Sequence, residues 1–276
     1  MTKFLVCFGA IAACATPPGR YLLLELFRRL QSLRVISRSE ARAVYDSNAR
    51  TPKASNDAES GYGGPASDAL ARLGGLDDDG ELFIVEYGCG RGALARALLR
   101  SRDRAGKLTR YVAVDQSAEM AARARENLAE FVERGVARVA VVPDGDPTAA
   151  LALLTDAERE RGCDRFVSTY VLDLLADDDI SRVLRLARAV LRRDGGALCV
   201  AGITYGAWAR PITVYWALRW EVKRLWRPRD MGGCRPQDLA RDHVPADEWR
   251  VRAREVVLPR ARPWMCSEVL VAEPLR

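Results

Sequence analysis

Histidine is almost absent from this chain: His243 is the only one in 276 residues. A single imidazole excludes mechanisms that need a histidine pair and metal sites built on clustered histidines. Cysteine is present but unorganised. Cys7, Cys14, Cys89, Cys163, Cys199, Cys234 and Cys266 are odd in number and far apart, with no Cys-x-x-Cys pair. Neither a disulfide framework nor a zinc site is indicated, and no metal is expected. Also missing is a bilayer-spanning apolar run, since FLVCFGAIAACA after Lys3 falls short of the ~20 residues such a helix needs. No internal repeat or low-complexity tract occurs. Lysine is scarce, so the 43 basic residues that outweigh 37 acidic ones are nearly all arginine, and they are spread along the chain. The net charge of +6 then reads as a solvated arginine surface, because nucleic-acid binding needs basic residues gathered in patches with aromatics between them. What is present is a hydrophobic content of 49%, enough for a proper globular core.

The N-terminus supports three readings. The run after Lys3 ends in Ala13-Cys14-Ala15, a small-residue pattern like that of a secretory signal. Arg20, Arg28, Arg29, Arg34, Arg38 and Arg42 follow among leucines and serines, with only Glu25 and Glu40 acidic, as in an organelle-import segment. The third reading is an apolar leader followed by an ordinary amphipathic helix. Residues 1–37 are therefore expected to be a leader or helix, in a cytoplasmic or organellar protein. Residues 38–75 are expected to form a helical cap with a lid loop at the polar, glycine-rich stretch 51–64, and residues 76–276 the main domain.

The main domain opens on VEYGCGRGALARALL, residues 85–99. A β-type run passes through Gly88, Gly90 and Gly92 into an Ala/Leu/Arg helix, so a strand, a tight loop and a helix start meet around a ligand that approaches the backbone. Two ligand classes compete for that loop. Gly88-Cys89-Gly90-Arg91-Gly92-Ala93 satisfies the dinucleotide fingerprint, in which a pyrophosphate sits on the helix N-terminus and the protein is an NAD(P)-dependent oxidoreductase. Glu86, two residues before the first glycine, would repel a pyrophosphate and suit an ammonium group. The set Glu86, Gly88, Gly90 and Gly92 resembles motif I of class I S-adenosylmethionine-dependent methyltransferases.

Beyond the loop, strand and helix signals alternate: strand 82–86, helix 92–102, strand 110–114, helix 117–134, strands 137–142 and 165–170, helix 177–192 and strand 197–203. An aromatic-rich helix, 207–227, and two late strands, 249–258 and 267–273, follow. With DRFVSTYVLDLLADDDI after residue 163, the chain resembles small-molecule methyltransferases of the domain 11 and 12 type over residues 76–276. The resemblance implies an α/β fold with a doubly wound, Rossmann-like, seven-stranded, mostly parallel sheet whose last strand is antiparallel, carrying an N-terminal helical cap.

The expected cofactor is S-adenosylmethionine. Asp115, ending strand two, suits the ribose hydroxyls, and Gln116-Ser117 caps the next helix. Met120 would lie against adenine or in the core. The resemblance implies that Asp144 meets the adenine amino group, with Gly145 allowing close approach. Ser168, Thr169 and Tyr170 fall at the end of strand four, beside the methyl group. The Asn-Pro-Pro-Tyr sequence of nucleic-acid amino methyltransferases is absent, which argues for a small-molecule acceptor. A hydroxyl acceptor wants a general base, and His243 lies outside the crevice loops, so a sulfur or nitrogen acceptor is expected. Arg235, after Gly232-Gly233-Cys234, is read as a fork for an acceptor carboxylate, with Tyr45, Tyr62 and Tyr170 walling the pocket. Tyr205, Trp208, Tyr215 and Trp216 are read either as faces for a cationic product or as core.

Overall fold

The computed structural model describes residues 16, 18–20, 22–23, 26, 30, 35–50, 63–142, 146–205, 211–227, 233–258 and 266–275. Residues 1–15, the lid stretch 51–62, Tyr62, Asp144, Gly145, Trp208, Gly232 and the side chain of Trp216 lie outside the described residues.

Strands β1 (Leu82–Tyr87), β2 (Thr109–Asp115), β3 (Ala137–Val141), β4 (Arg165–Thr169), β5 (Ala197–Thr204), β6 (Trp249–Val257) and β7 (Cys266–Pro274) form one sheet in the order β3-β2-β1-β4-β5-β7-β6. β1 pairs in parallel with β2 and β4, and the parallel run continues to β3 on one side and β5 on the other. β7 inserts antiparallel between β5 and β6. This is the doubly wound sheet that the βα alternation implies, with the antiparallel last strand that the resemblance implies. Strand order reverses between β1 and β4, so the crevice for a ligand opens at their carboxyl ends.

The central strands run where their residues can be buried, whereas the edge strand β6 is largely open to solvent. LFIVEY in β1 is covered on both faces, the condition of a central parallel strand. Phe83, Val85 and Tyr87 face a layer made with the helix Asp177–Val190, and Ile84 faces the layer opposite, made with the helices Gly63–Gly74, Ala93–Arg104 and Ala118–Asn127. The helices are α1 (Arg38–Ala49), α2 (Gly63–Gly74), α3 (Ala93–Arg104), α4 (Ala118–Asn127), α5 (Ala129–Glu133), α6 (Asp156–Arg161), α7 (Asp177–Val190), α8 (Pro211–Trp226) and α9 (Leu239–Asp242). In α7, Ile180, Val183, Leu184, Ala187 and Val190 recur on one face and are buried there, while Asp177, Asp178 and Asp179 occupy the first turn, where carboxylates favour the dipole.

Local differences from the sequence reading have local causes. The helix expected over 117–134 is two helices, because Leu128, fully buried, leaves helical angles between them. A 3-10 helix, Pro147–Leu153, and α6 fill the connection before β4, where Thr155 and Glu158 form a capping box. On α8, Tyr215 is 52% and Trp226 82% exposed, so the outer face of this helix carries aromatics to solvent.

At the amino edge of the sheet, Arg102 acts as a hub. Its guanidinium donates to the carbonyls of Leu76, Asp78, Gly80 and Leu108 at 2.7–3.1 Å and to Thr109 Oγ1 at 2.7 Å. A buried arginine is tolerated because its donors are used.

Candidate functional site

The glycine loop leaves β1 with three left-handed residues, Gly88, Gly90 and Gly92, at φ 77°, 53° and 73°. Only glycine adopts such angles at little cost. The three differ in what surrounds them. A Cβ on Gly88 would meet Val171 Cγ2 at 2.2 Å, whereas one on Gly90 would point into open space. Gly88 is glycine for packing, and Gly90 faces open space.

The loop amides are already employed. Gly88 and Cys89 donate to the Val114 carbonyl at 2.8 and 3.0 Å, Gly92 donates to the Cys89 carbonyl at 2.8 Å, and Gly90 donates to Asp115 Oδ2 at 2.7 Å. Asp115 Oδ1 accepts from the Ser117 amide at 2.9 Å. The Asp115 carboxylate thus ties the end of β2 to the loop, with lone pairs remaining on each oxygen. Burial pushes its carboxyl up, against the pull of those amides.

Glu86 is 1% exposed and accepts from the Tyr111 hydroxyl at 2.9 Å. Burial raises its carboxyl to about 8, with Tyr111 opposing and the charge of Asp115 adding. Ser117 caps α4 by accepting from the Met120 amide at 3.1 Å, and its hydroxyl also bonds Asp46 of α1. Met120 is buried yet belongs to neither core layer, and Gln116, half-buried, is the step between Asp115 and the cap.

Helix α1 lies across this crevice. Arg38 forks onto both carboxylate oxygens of Asp179, Arg50 pairs with Glu119 at 3.1 Å, and Arg91 reaches the Asn48 carbonyl at 2.5 Å. These contacts join α1 to the starts of α4 and α7, which follow β2 and β4, so the helix bridges the carboxyl edge of the sheet. Its start is fixed by a capping box between Ser37 and Glu40.

The residues after β4 are arranged differently from the sequence expectation. Ser168 is fully buried and donates to the Tyr87 carbonyl at 3.0 Å, which clamps β4 to β1. Tyr170 takes φ 56°, rare for a residue with a Cβ, and its hydroxyl shares a 2.8 Å hydrogen bond with Ser267 of β7. Burial raises its phenol. Arg235 is 3% exposed and is not an open fork: its Nη2 bonds the Leu175 carbonyl and pairs with Asp177 at 3.1 Å. Tyr45 bonds the Cys234 thiol beside it. The structure therefore brings Glu86, the three glycines, Asp115, Gln116 and Met120 to one crevice, and Tyr45 to Arg235's neighbour, while Tyr170 turns to β7. His243 is held by a backbone bond to Leu239, and burial lowers its imidazole.

Three residues escaped the sequence reading. Asp46 was hidden in a helix whose docking partner is distant in sequence. Asp173, in the 3-10 turn Leu172–Leu174, is fully buried, and burial raises its carboxyl to about 7. Its signal was a carboxylate bracketed by apolar residues in VLDLL. Gln237 is buried with both amide atoms unpartnered. Among the described residues no group of three or more His, Cys, Asp or Glu is placed to hold a metal, and no helix is long and apolar enough to cross a membrane.

Residues 85–197 match the methyltransferase-domain family, a span from β1 into the start of β5. The fold is similar to that of the N-methyltransferase NodS from Bradyrhizobium japonicum WM9 in complex with S-adenosyl-L-homocysteine, with a TM-score of 0.60 and 13% identity over 86% of this chain and 100% of that one. It is also similar to the cyclopropane synthase MmaA2 from Mycobacterium tuberculosis, with a TM-score of 0.51 and 13% identity over 86% of this chain and 95% of that one. At such identities the likeness is one of fold. No curated protein matches the sequence.

Proposed function

We propose that this chain, an S-adenosylmethionine-dependent methyltransferase, methylates a small molecule on nitrogen or sulfur in the crevice between the glycine loop and α1. The observation that carries this reading is the bond from the Gly90 amide to Asp115, with Glu86 buried beneath and open space above Gly90. A pyrophosphate bound at such a loop takes hydrogen bonds from its backbone amides. Here the Gly88, Cys89, Gly90 and Gly92 amides already have acceptors within the protein, that of Gly90 a carboxylate oxygen. This argues against a dinucleotide.

The residues present fit an adenosyl sulfonium amino acid. Asp115 would hold the ribose hydroxyls with its remaining lone pairs, Glu86 would face the ammonium, Gly90 would let the ligand lie on the backbone, and Met120 would line the adenine side. The sulfonium supplies an electrophilic methyl group when bound. The protein contributes alignment and dryness: fixing an acceptor in line with that methyl group can lower the barrier by about 7–11 kcal/mol. Helix α1 would exclude water by covering the crevice.

The test is a pair of calorimetric titrations, one with S-adenosylhomocysteine and one with NAD, followed by transfer of labelled methyl into small-molecule pools. Micromolar binding of the first and none of the second supports the reading. Binding of NAD alone would overturn it.

A further inference from the structure

Asp173 and Gln237 leave three acceptor atoms buried without partners. No hydrogen bond of ordinary geometry reaches either carboxylate oxygen of Asp173 or either amide atom of Gln237. Asp173 is 0% and Gln237 5% exposed, so bulk solvent does not reach them. An orphaned buried carboxylate is expensive, and two orphaned polar side chains in one place call for an explanation.

They are in one place. The Gln237 backbone N–H donates to the Ile203 carbonyl at 2.8 Å, and the Asp173 carboxylate lies towards the backbone N–H of Ile203. The Asp173 carbonyl accepts from the Arg235 N–H at 2.7 Å, two residues before Gln237. β4 ends its pairing with β5 at Thr169–Ala201, and beyond that point the edge of β5 at Ile203 is met by the Gln237 backbone and the Asp173 carboxylate. This is the carboxyl edge of the sheet, on the β4–β5 side of the glycine loop, and open α/β sheets take their ligands outside the carboxyl ends of the strands. The charged neighbour is not a true partner: Arg235 spends Nη2 on the Leu175 carbonyl and Asp177, leaving its Nε unpaired and away from any acceptor.

We propose that Asp173 and Gln237 bind the acceptor, and that the acceptor is a primary amine. This rests on the methyltransferase reading and narrows its acceptor to nitrogen. An alkylammonium carries three N–H donors and one positive charge. The two Asp173 oxygens and Gln237 Oε1 are three acceptors with one negative charge, and Gln237 Nε2 remains to donate to a polar group elsewhere on the ligand. A thiol or an alcohol offers a single donor and no charge, so it leaves the carboxylate uncompensated.

Asp173 also removes the proton that blocks reaction. The ammonium passes one proton to the Asp173 carboxylate, and the freed nitrogen lone pair forms the N–C bond. The methyl C–S bond breaks with its electron pair left on sulfur. The product is a methylated ammonium, and the proton on Asp173 returns to water. Burial that holds the Asp173 carboxyl near 7 brings it closer to an amine, whose reference is about 10.4 for lysine, than a free carboxylate would be. Access requires a covering element to move, and α1 is the one that meets this cluster, through Tyr45 against Cys234.

The experiment titrates protein saturated with S-adenosylhomocysteine against benzylamine, phenethylamine and butylamine, and against benzyl alcohol and benzyl mercaptan. At least one amine should bind and each neutral isostere bind at least tenfold more weakly. Asp173→Asn should weaken that amine at least tenfold with S-adenosylhomocysteine affinity unchanged, and Asp173→Glu should recover part. Asp173→Asn removes a buried charge at constant shape, so its thermal midpoint should not fall. Gln237→Leu reads the same site by amine affinity should the first variant fail to fold. With labelled S-adenosylmethionine the methyl should appear on the amine nitrogen. Binding of no amine, equal binding of the alcohol or thiol, or wild-type amine affinity in Asp173→Asn would overturn the proposal while the cofactor reading stands. Failure of the wild-type protein to bind S-adenosylhomocysteine would overturn both.

Discussion

Asp115 holds Gly90: the backbone N–H of the glycine donates to Asp115 Oδ2 at 2.7 Å, across the gap between the end of β2 and the loop after β1. One carboxylate therefore shapes the loop and, in the proposed function, bonds the cofactor ribose. Asp115→Ala removes both contributions. Cofactor affinity should drop by the worth of charge-assisted hydrogen bonds, about 1.5–3 kcal/mol, in a calorimetric titration with S-adenosylhomocysteine. Unchanged affinity would remove Asp115 from the site.

The two glycines that flank Cys89 separate folding from binding. Gly88→Ala drives a methyl group to within 2.2 Å of Val171, so it should lower the unfolding free energy by at least the left-handed penalty of about 1–2 kcal/mol plus the repacking of Val171. Gly90→Ala meets nothing, so it should lose only the backbone penalty in urea denaturation. Gly90→Val should still fold and should bind S-adenosylhomocysteine at least tenfold more weakly, because its side chain fills ligand space. A Gly90→Val protein with native affinity would show that the space belongs to no ligand.

The strands and the glycine crevice were legible because both are local. A run such as LFIVEY declares a doubly covered strand, and Glu86, Gly88, Gly90 and Gly92 declare their loop by spacing alone. Arg235 was misread as a fork for a carboxylate because sequence carries no record of which carbonyls a guanidinium meets. Leu175 and Asp177, its partners, are 60 and 58 residues away. Asp173 was overlooked for the same reason: a carboxylate among leucines looks like a turn residue until its burial is known. The role of α1 over the crevice depends on Arg38 and Asp179, 141 residues apart, and no periodicity reports that. Asp144 and Tyr62 stay as sequence expectations, outside the described residues.

Glu86 should give the protein a signature in pH. Its carboxyl titrates near 8 in the folded chain against 4.5 as a free group. Between those values the folded state keeps a proton that the unfolded state releases, so this residue's contribution to stability is full below about 4.5 and declines as pH rises to about 8. Glu86→Gln should flatten that part of the stability profile. If Glu86 meets the cofactor ammonium, binding below pH 8 ionises it. Calorimetry in buffers of different ionisation enthalpy should then report proton release on binding S-adenosylhomocysteine, and Glu86→Gln should abolish it. Proton uptake, or no exchange, would contradict an ionised Glu86 in the complex.

The fork from Arg38 to Asp179 is the strongest of the ties that keep α1 over the crevice, since it is bidentate and Asp179 is mostly shielded from water. The surface pair Arg50–Glu119 contributes much less, because both groups are open to solvent. Arg38→Met should therefore loosen the helix without unfolding the domain: the Ser37–Glu40 capping box stays, and the partner it releases, Asp179, lies in the first turn of α7 and not in the sheet. Losing charge-assisted hydrogen bonds costs about 1.5–3 kcal/mol, which hydrogen exchange should read as roughly 10- to 100-fold faster exchange of amides in residues 42–49 while those of β1 and β5 keep their protection. Asp179→Asn should do the same by a smaller factor, since it keeps one acceptor. If α1 also covers bound ligand, S-adenosylhomocysteine should dissociate faster from Arg38→Met in stopped-flow exchange with little change in association rate. Unaltered exchange over 42–49 would mean that Asp46 on Ser117 and Arg91 on Asn48 suffice to hold the cap.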